Sequence, residues 1–261
     1  MTQPIGYINK DTPSHVCKLH KAIYDLKQAP RAWYQELSKF LINFGFTNLV
    51  SDASLFIYSK DSVILHFLIY VDDLLVIGNH IATLNLLLKQ LAMRFSLKDL
   101  GTLNFFLGVE IIPTSSGMFL SQHKYIRDIL EKFDMLSAKE VQTPMATTNV
   151  KLHLKDGTGP FDTTKYRQVI GSLQYISLTR PDITYSINKL SQFMIASTKC
   201  HYSCLKRILR YLKATLHHGL FLRTSSTLKL SAFTDSDWAG DPDDRTSTSA
   251  YVIYLGGNPV S

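Results

Sequence analysis

"HFLIYVDDLLVIG", residues 66–78, is almost wholly apolar, yet two adjacent carboxylates, Asp72 and Asp73, sit at its centre. Before them, "VILHFLIYV" (63–71) is rich in β-branched and aromatic residues and reads as a strand; after them, "LLVIG" (74–78) reads as another. Only the Asp pair separates the two, so the expected element is a hairpin with the pair at its turn. Asp is common in turns because its side chain bonds local backbone N–H groups, so a purely conformational role is one reading. The apolar flanks favour a second reading, in which the turn is walled by core and poorly solvated. The nearest upstream lysine is Lys60. Two carboxylates ~4 Å apart repel by ~4 kcal/mol at an effective dielectric of ~20. A divalent cation relieves that repulsion, and Mg²⁺ characteristically takes one or two carboxylates plus substrate phosphates.

Working outward, "AWYQELSKFLINFGF" (32–46) spaces Trp33, Leu37, Phe40, Leu41 and Phe44 as a helix, with Gly45 as its stop. "SLFIYS" (54–59) reads as a strand. Residues 81–95 place Leu84, Leu87, Leu88, Leu91 and Phe95 on one helical face. "LNFFLGVEII" (103–112) reads as a strand pair or hairpin loosened at Gly108, either bulged or tightly turned, "SGMFLSQ" as a turn and short strand, and "QHKYIRDILEKF" (122–133) as an amphipathic helix. Residues 144–165 mix Pro, Thr, Gly, Asp and Lys without a period and read as a linker. Helices are expected over about 165–179, 181–195 and 200–217, and strand pattern returns in "LKLSAFTD" and "STSAYVIYLGG" around the polar turn "SDWAGDPDDRT".

The chain has 261 residues, 45% of them hydrophobic and 19% charged, enough apolar material for a real core. Its net charge of +7 fits a polyanionic partner such as nucleic acid. Cys17, Cys200 and Cys204 make no disulfide framework, which fits a reducing, intracellular compartment, cytoplasmic or nuclear. Cys200, His201 and Cys204 cluster without a fourth ligand and read as structural residues rather than a metal site. The polar N-terminus carries no signal peptide, and no apolar run reaches the ~20 residues of a membrane helix, so no membrane partner is expected.

"YVDD" between hydrophobic strands resembles the polymerase signature of reverse transcriptases. "KLHKAIYDLKQAPRAWY", "SLFIYS", "YVDDLLVIGN", "FSLKDLGTLNFFLGVEI", "LSQHKYIRDILEKF", "VIGSLQYISLTRPDITYSINKLSQFM", "LKRILRYLKAT" and "FTDSDWAGDPDDRTSTSAYVIYLGG" follow in the order found in the polymerase of copia-type retrotransposons. The resemblance covers essentially the whole chain. It implies an α+β fold: a right-hand palm and thumb lacking the fingers and first palm strand, a helical connection, and part of an RNase H-like α/β sheet. The implied division is a palm over 1–112, thumb and linker over 113–155, connection over 156–226, and the start of RNase H over 227–261.

The resemblance also implies a chemistry, RNA- or DNA-templated addition of deoxynucleoside triphosphates to a primer. Two ions, Mg²⁺ or Mn²⁺, would clamp the attacking and leaving oxygens. Asp72 and Asp73 would be the catalytic metal ligands, Asp72 the more direct, with Tyr70 supporting the primer end. Leu107, Gly108 and Val109 match the primer grip, and a Gly inside a strand allows the close backbone approach that a sugar-phosphate chain needs. Lys27, Gln28 and Arg31 match the incoming-nucleotide pocket and offer donors to phosphate and base edges. Asp25 departs from the family's glycine there, adding bulk and negative charge; "QPIGY" departs more mildly. Asp235 matches the first RNase H metal ligand, and Asp237 reads as turn chemistry. Lys206, Arg210 and Lys213 line one helix face, either as a solvated stripe or as a contact to the template–primer backbone.

The family's third palm aspartate lies upstream of "MTQPIGY", and its remaining RNase H carboxylates lie beyond Ser261. The expectation is therefore a segment of an RNA-directed DNA polymerase, inactive as an isolated chain and completed by other segments of the polyprotein. The alternative is a non-catalytic nucleic-acid-binding remnant.

Overall fold

The computed structural model describes residues 2–20, 23, 26–71, 73–146, 152–224 and 227–261. It forms two compact units, Met1–Gly101 and Thr102–Ser261. Three antiparallel sheets lie among the described residues.

In the first unit, helix α1 (Ala29–Phe44) starts with proline in its first turn and stops at Gly45, whose φ of 114° lets its N–H return to Leu41 and Ile42. Strands β1 (Thr47–Asn48), β2 (Leu55–Lys60), β3 (Val63–Tyr70) and β4 (Asp73–Gly78) form a meander in that order. Helix α2 (Ile81–Arg94) follows, its first turn capped by His80, which accepts from the Thr83 N–H. The sheet obeys the period of two. Leu65, Phe67 and Ile69 of β3 point inward with Phe56 and pack on Leu37 and Leu41 of α1 and Leu87 and Leu91 of α2. The alternate residues of β3, His66 and Tyr70, face out.

In the second unit, β5 (Phe105–Phe106), β6 (Val109–Thr114) and β7 (Gly117–Ser121) run as hairpins into α3 (His123–Lys132). Helices α4 (Thr163–Ile176), α5 (Thr184–Ser191) and α6 (Lys199–Ala214) follow, close to their expected spans, with a 3₁₀ turn at Pro181–Ile183. Their core joins Ile126 and Leu130 to Tyr166, Ile170, Leu173, Ile187, Leu205 and Leu209. A strand that the sequence reading lacked, β8 (Leu220–Arg223), pairs with β7 through Met118↔Leu222 and Leu120↔Leu220. Strands β9 (Leu230–Ser236), β10 (Ser249–Leu255) and β11 (Asn258–Pro259) make the third sheet.

The described part of the expected linker is bound down rather than free. The Asp156 carboxylate accepts from the Thr158 N–H and from the Thr198 hydroxyl at the N-cap of α6. The Phe161 ring stacks on Tyr202 at 3.8 Å. These polar side chains each have a local partner.

His201, 0% exposed, completes that fastening. Its N–H bonds the Thr198 hydroxyl, while its Nδ1 accepts from the Thr198 N–H, a capping box with histidine in the third helical position. An Nδ1 that accepts leaves the proton on Nε2, which donates to the His153 carbonyl at 3.1 Å. The ring also stacks on Phe193 at 3.9 Å. His201 is thus a structural residue, with both ring nitrogens engaged.

Burial holds His201 below its ordinary pKa, against the pull of the Asp156 carboxylate in the other direction. Burial alone would raise Asp156, but hydrogen bonds from Thr198 and Thr158 and the charge of His201 bring it down to about 2. A lowered folded pKa means that the unfolded chain binds the extra proton. The stability contributed by neutral His201 is complete above the unfolded value of about 6.5 and is lost as pH falls below it. The urea midpoint is expected to drop between about pH 7 and pH 5, above the range in which Asp156 contributes. His201→Gln keeps a capping-box side chain and removes the titration, so its midpoint should change less over that interval.

The β7–β8 pairing supplies a second test. A Cβ at Gly117 would stand 2.0 Å from the Leu222 carbonyl oxygen, whereas at Gly171, inside α4, it would meet nothing within 4 Å. Gly117→Ala should cost about 3 kcal/mol in urea unfolding, because the obstacle is backbone. Gly171→Ala should stabilise by about 0.5–1 kcal/mol through helix propensity.

Candidate active site

The hairpin around the carboxylate pair is as tight as two residues allow. Tyr70 pairs with Asp73, leaving only positions 71 and 72 in the loop. Val71 takes a φ of 51°, the left-handed conformation that two-residue hairpins demand and that a β-branched residue adopts only under constraint. Asp72 lies outside the described residues, as does Asp25.

Pairing parity then fixes where Asp73 points. Ile69↔Leu74 and Phe67↔Val76 lie on the core face, so Tyr70↔Asp73 lies on the opposite face with Leu68↔Leu75 and His66↔Ile77. The tip is open to solvent: Tyr70 is 53% and Val71 72% exposed, and Asp73 is exposed. This corrects the expectation of a turn walled by core. The apolar flank is real, but its inward row ends at Ile69 and Leu74, and the tip projects beyond it. The Asp73 carboxylate has no hydrogen-bond or ion-pair partner among the described residues. An exposed, unpartnered carboxylate on a constrained turn suits a hard divalent cation, which takes oxygen ligands and keeps several waters. Among the described residues no group of three His, Cys, Asp or Glu side chains is placed to hold a metal.

Lys27 and Gln28 immediately precede α1, with Gln28 at its N-cap, and Arg31 lies in its first turn; all three are exposed. In the second unit, Leu107 and Gly108 form the two-residue loop joining β5 to β6, with φ values of 49° and 74°, and Val109 opens β6. The tightly turned hairpin read from the sequence is therefore present. Gly108 also backs onto Tyr175, whose ring would lie 3.2 Å from a Cβ placed there.

Asp235 is exposed near the end of β9, paired in register with Ala250. Asp237 accepts from the Thr248 N–H at 2.6 Å, the turn chemistry expected of it. The basic stripe on α6 is divided. The Arg210 Nε donates to the Lys139 carbonyl, and the Lys213 Nζ donates to the Ala138 carbonyl at 2.9 Å and lies 3.9 Å from Glu140. Lys206 instead lies 5.4 Å from the centre of the Tyr202 ring. Helical spacing in the sequence located this face but carried no signal for the 138–140 loop that engages two of its three cations.

No helix among the described residues is long and apolar enough to cross a membrane. Residues 1–147 match the family described as reverse transcriptase (RNA-dependent DNA polymerase). Over all of its length the chain is 52% identical to the retrovirus-related Pol polyprotein from transposon RE1 of Arabidopsis thaliana, of which it spans 18%. It is 36% identical to the corresponding polyprotein from transposon TNT 1-94 of Nicotiana tabacum, spanning 20% of it. A putative transposon Ty5-1 protein of Saccharomyces cerevisiae is 32% identical over 99% of the chain and 84% of its own length. No solved structure matches. The chain thus spans about a fifth of the first two relatives, and with its YVDD hairpin between antiparallel strands it belongs to the reverse transcriptase family, as a segment of a copia-type retrotransposon Pol polyprotein.

Proposed function

We propose that this segment presents the metal-binding hairpin of an RNA-directed DNA polymerase, and that the polyprotein containing it extends a primer on an RNA or DNA template. The observation that carries the reading is the parity of the Tyr70–Asp73 pair, which puts a carboxylate without a partner among the described residues on the sheet face opposite the helices. Asp72 and Asp73 hold the ions, Mg²⁺ or Mn²⁺. When bound, such ions supply charge stabilisation at the attacking and leaving oxygens of an in-line displacement. In that displacement the primer 3′-oxygen forms a bond to the α-phosphorus of a deoxynucleoside triphosphate, pyrophosphate leaves, and the hydroxyl proton passes to solvent. Tyr70, across the pair from Asp73, steadies the primer end.

The other roles follow from the resemblance and are compatible with the local geometry. Leu107, Gly108 and Val109, half-exposed at the turn of the β5–β6 hairpin, are the primer grip. Lys27, Gln28 and Arg31 at the start of α1 receive the triphosphate. Asp235 on β9 is the first ligand of an RNase H metal site. On this reading residues 1–112 are palm, 113–155 thumb and linker, 156–226 connection and 227–261 the start of an RNase H-like sheet.

The test uses the Pol polyprotein carrying this segment. Asp73→Asn is expected to lower primer extension on an RNA template with Mg²⁺ by about a thousandfold or more, equivalent to about 4 kcal/mol of transition-state stabilisation. Glu36→Gln removes the exposed pairs to Lys39 and Arg94 and should leave extension within about twofold, because such surface pairs contribute little. Extension by Asp73→Asn within about tenfold of the parent would overturn the assignment.

A further inference from the structure

The cations of α4 and α6 fall into two groups. Arg167 donates to the Met194 carbonyl, Arg207 to the Thr143 carbonyl and hydroxyl, Arg210 to the Lys139 carbonyl and Lys213 to the Ala138 carbonyl. These four fasten loops. Lys165, Lys199 and Lys206 have no ion pair among the described residues.

The unpaired three share one surface. Lys199, Tyr202 and Lys206 are spaced by three and four residues and lie on one face of α6. Lys165 reaches the same place from the first turn of α4, four residues after Phe161. Its Nζ is 5.9 Å from the centre of the Tyr202 ring, and that of Lys206 is 5.4 Å away. Phe161 stacks on the ring, with the planes 13° apart. The carboxylate nearest in sequence to Lys165, that of Asp162, accepts from the Thr164 and Lys165 N–H groups and so caps α4. Two ammonium groups gathered on one ring, with a third on the same helix face and no carboxylate among the described residues paired to any of them, make a local excess of positive charge. Cation–π attraction offsets only part of their repulsion, typically ~0.5–1 kcal/mol each at exposed sites.

We infer that Lys165, Lys199 and Lys206, grouped around the Phe161–Tyr202 stack, form a contact surface for the phosphate backbone of a nucleic-acid duplex. The choice of nucleic acid as the polyanion rests on the reverse-transcriptase reading above. The surface moves the contact off Arg210 and Lys213, whose side chains are drawn onto the 138–140 loop, and onto the N-terminal half of α6 and the start of α4. It needs no base-specific group, because phosphate contacts position a duplex without reading it.

Binding of the chain to a fluorescent RNA–DNA hybrid, measured by anisotropy across a sodium chloride series, tests the inference. Each neutralised phosphate contributes a log–log slope of about −0.9, so Lys165→Ala/Lys206→Ala should flatten the slope by about two. Lys199→Glu should weaken binding as well. Arg210→Ala/Lys213→Ala should lower the melting temperature and leave the slope unchanged. An unchanged slope in a folded Lys165→Ala/Lys206→Ala chain would overturn the inference. So would attachment of the parent chain to phosphatidylserine vesicles but not to the hybrid. Neither result bears on Asp73, which is scored by primer extension.

Discussion

The alternation of side chains along β3 is the constraint on which the site depends. Leu65, Phe67 and Ile69 are buried, so Tyr70 must face the other way. The two-residue turn carries that parity into β4, where Leu74 and Val76 return to the core and Asp73 is left on the outer face. A slip of one residue would expose Phe67 and Leu65, at about 1.5–3 kcal/mol for each large side chain returned to water. The register therefore has little freedom. Hydrophobic residues that never touch a substrate determine the direction of a carboxylate several residues away.

The same parity accounts for the solvation of the tip. Asp73 is exposed there rather than walled by core. The strain lies in the backbone. Val71 adopts a left-handed conformation that costs a β-branched residue about 1–3 kcal/mol and is tolerated when its surroundings over-determine it. Five paired positions behind Tyr70↔Asp73 supply that determination.

What the sequence disclosed tracks how local each signal is. Helix α1, with its apolar spacing and Gly45 stop, and the β3–β4 hairpin are encoded within a few residues, and both were legible. The hairpin at Leu107–Gly108 was legible for the same reason. Strand β8 was not, because "LFLR" is too short to show a period and its partner, β7, lies about a hundred residues earlier. The exposure of the tip was hidden because apolar flanks do not reveal where the inward row ends. The division of the α6 stripe was hidden because periodicity defines a face but not the loop that packs on it.

In the second unit, one buried cation joins the helices to the strand that the sequence did not reveal. Arg180, 1% exposed, makes a two-pronged pair with Asp182 at 2.9 and 2.7 Å, and its remaining nitrogen donates to the Thr215 carbonyl at 2.9 Å. Burial opposes the charge on Asp182, but the guanidinium and the Tyr211 hydroxyl hold its pKa below the usual carboxylate range. Desolvation cancels much of the Coulombic gain of such a pair, so its main contribution is geometric. Thr215 is the C-cap of α6, and β8 begins at Leu220. Pinning Thr215 fixes where the chain leaves the helix, and so where Leu220 and Leu222 meet β7. Through β7 and β6 the same lock reaches the hairpin at Leu107–Gly108, whose tip already rests on Tyr175 of α4. The hairpin is therefore tied to the helical core at both ends of its sheet, by a glycine contact at one and a buried arginine at the other.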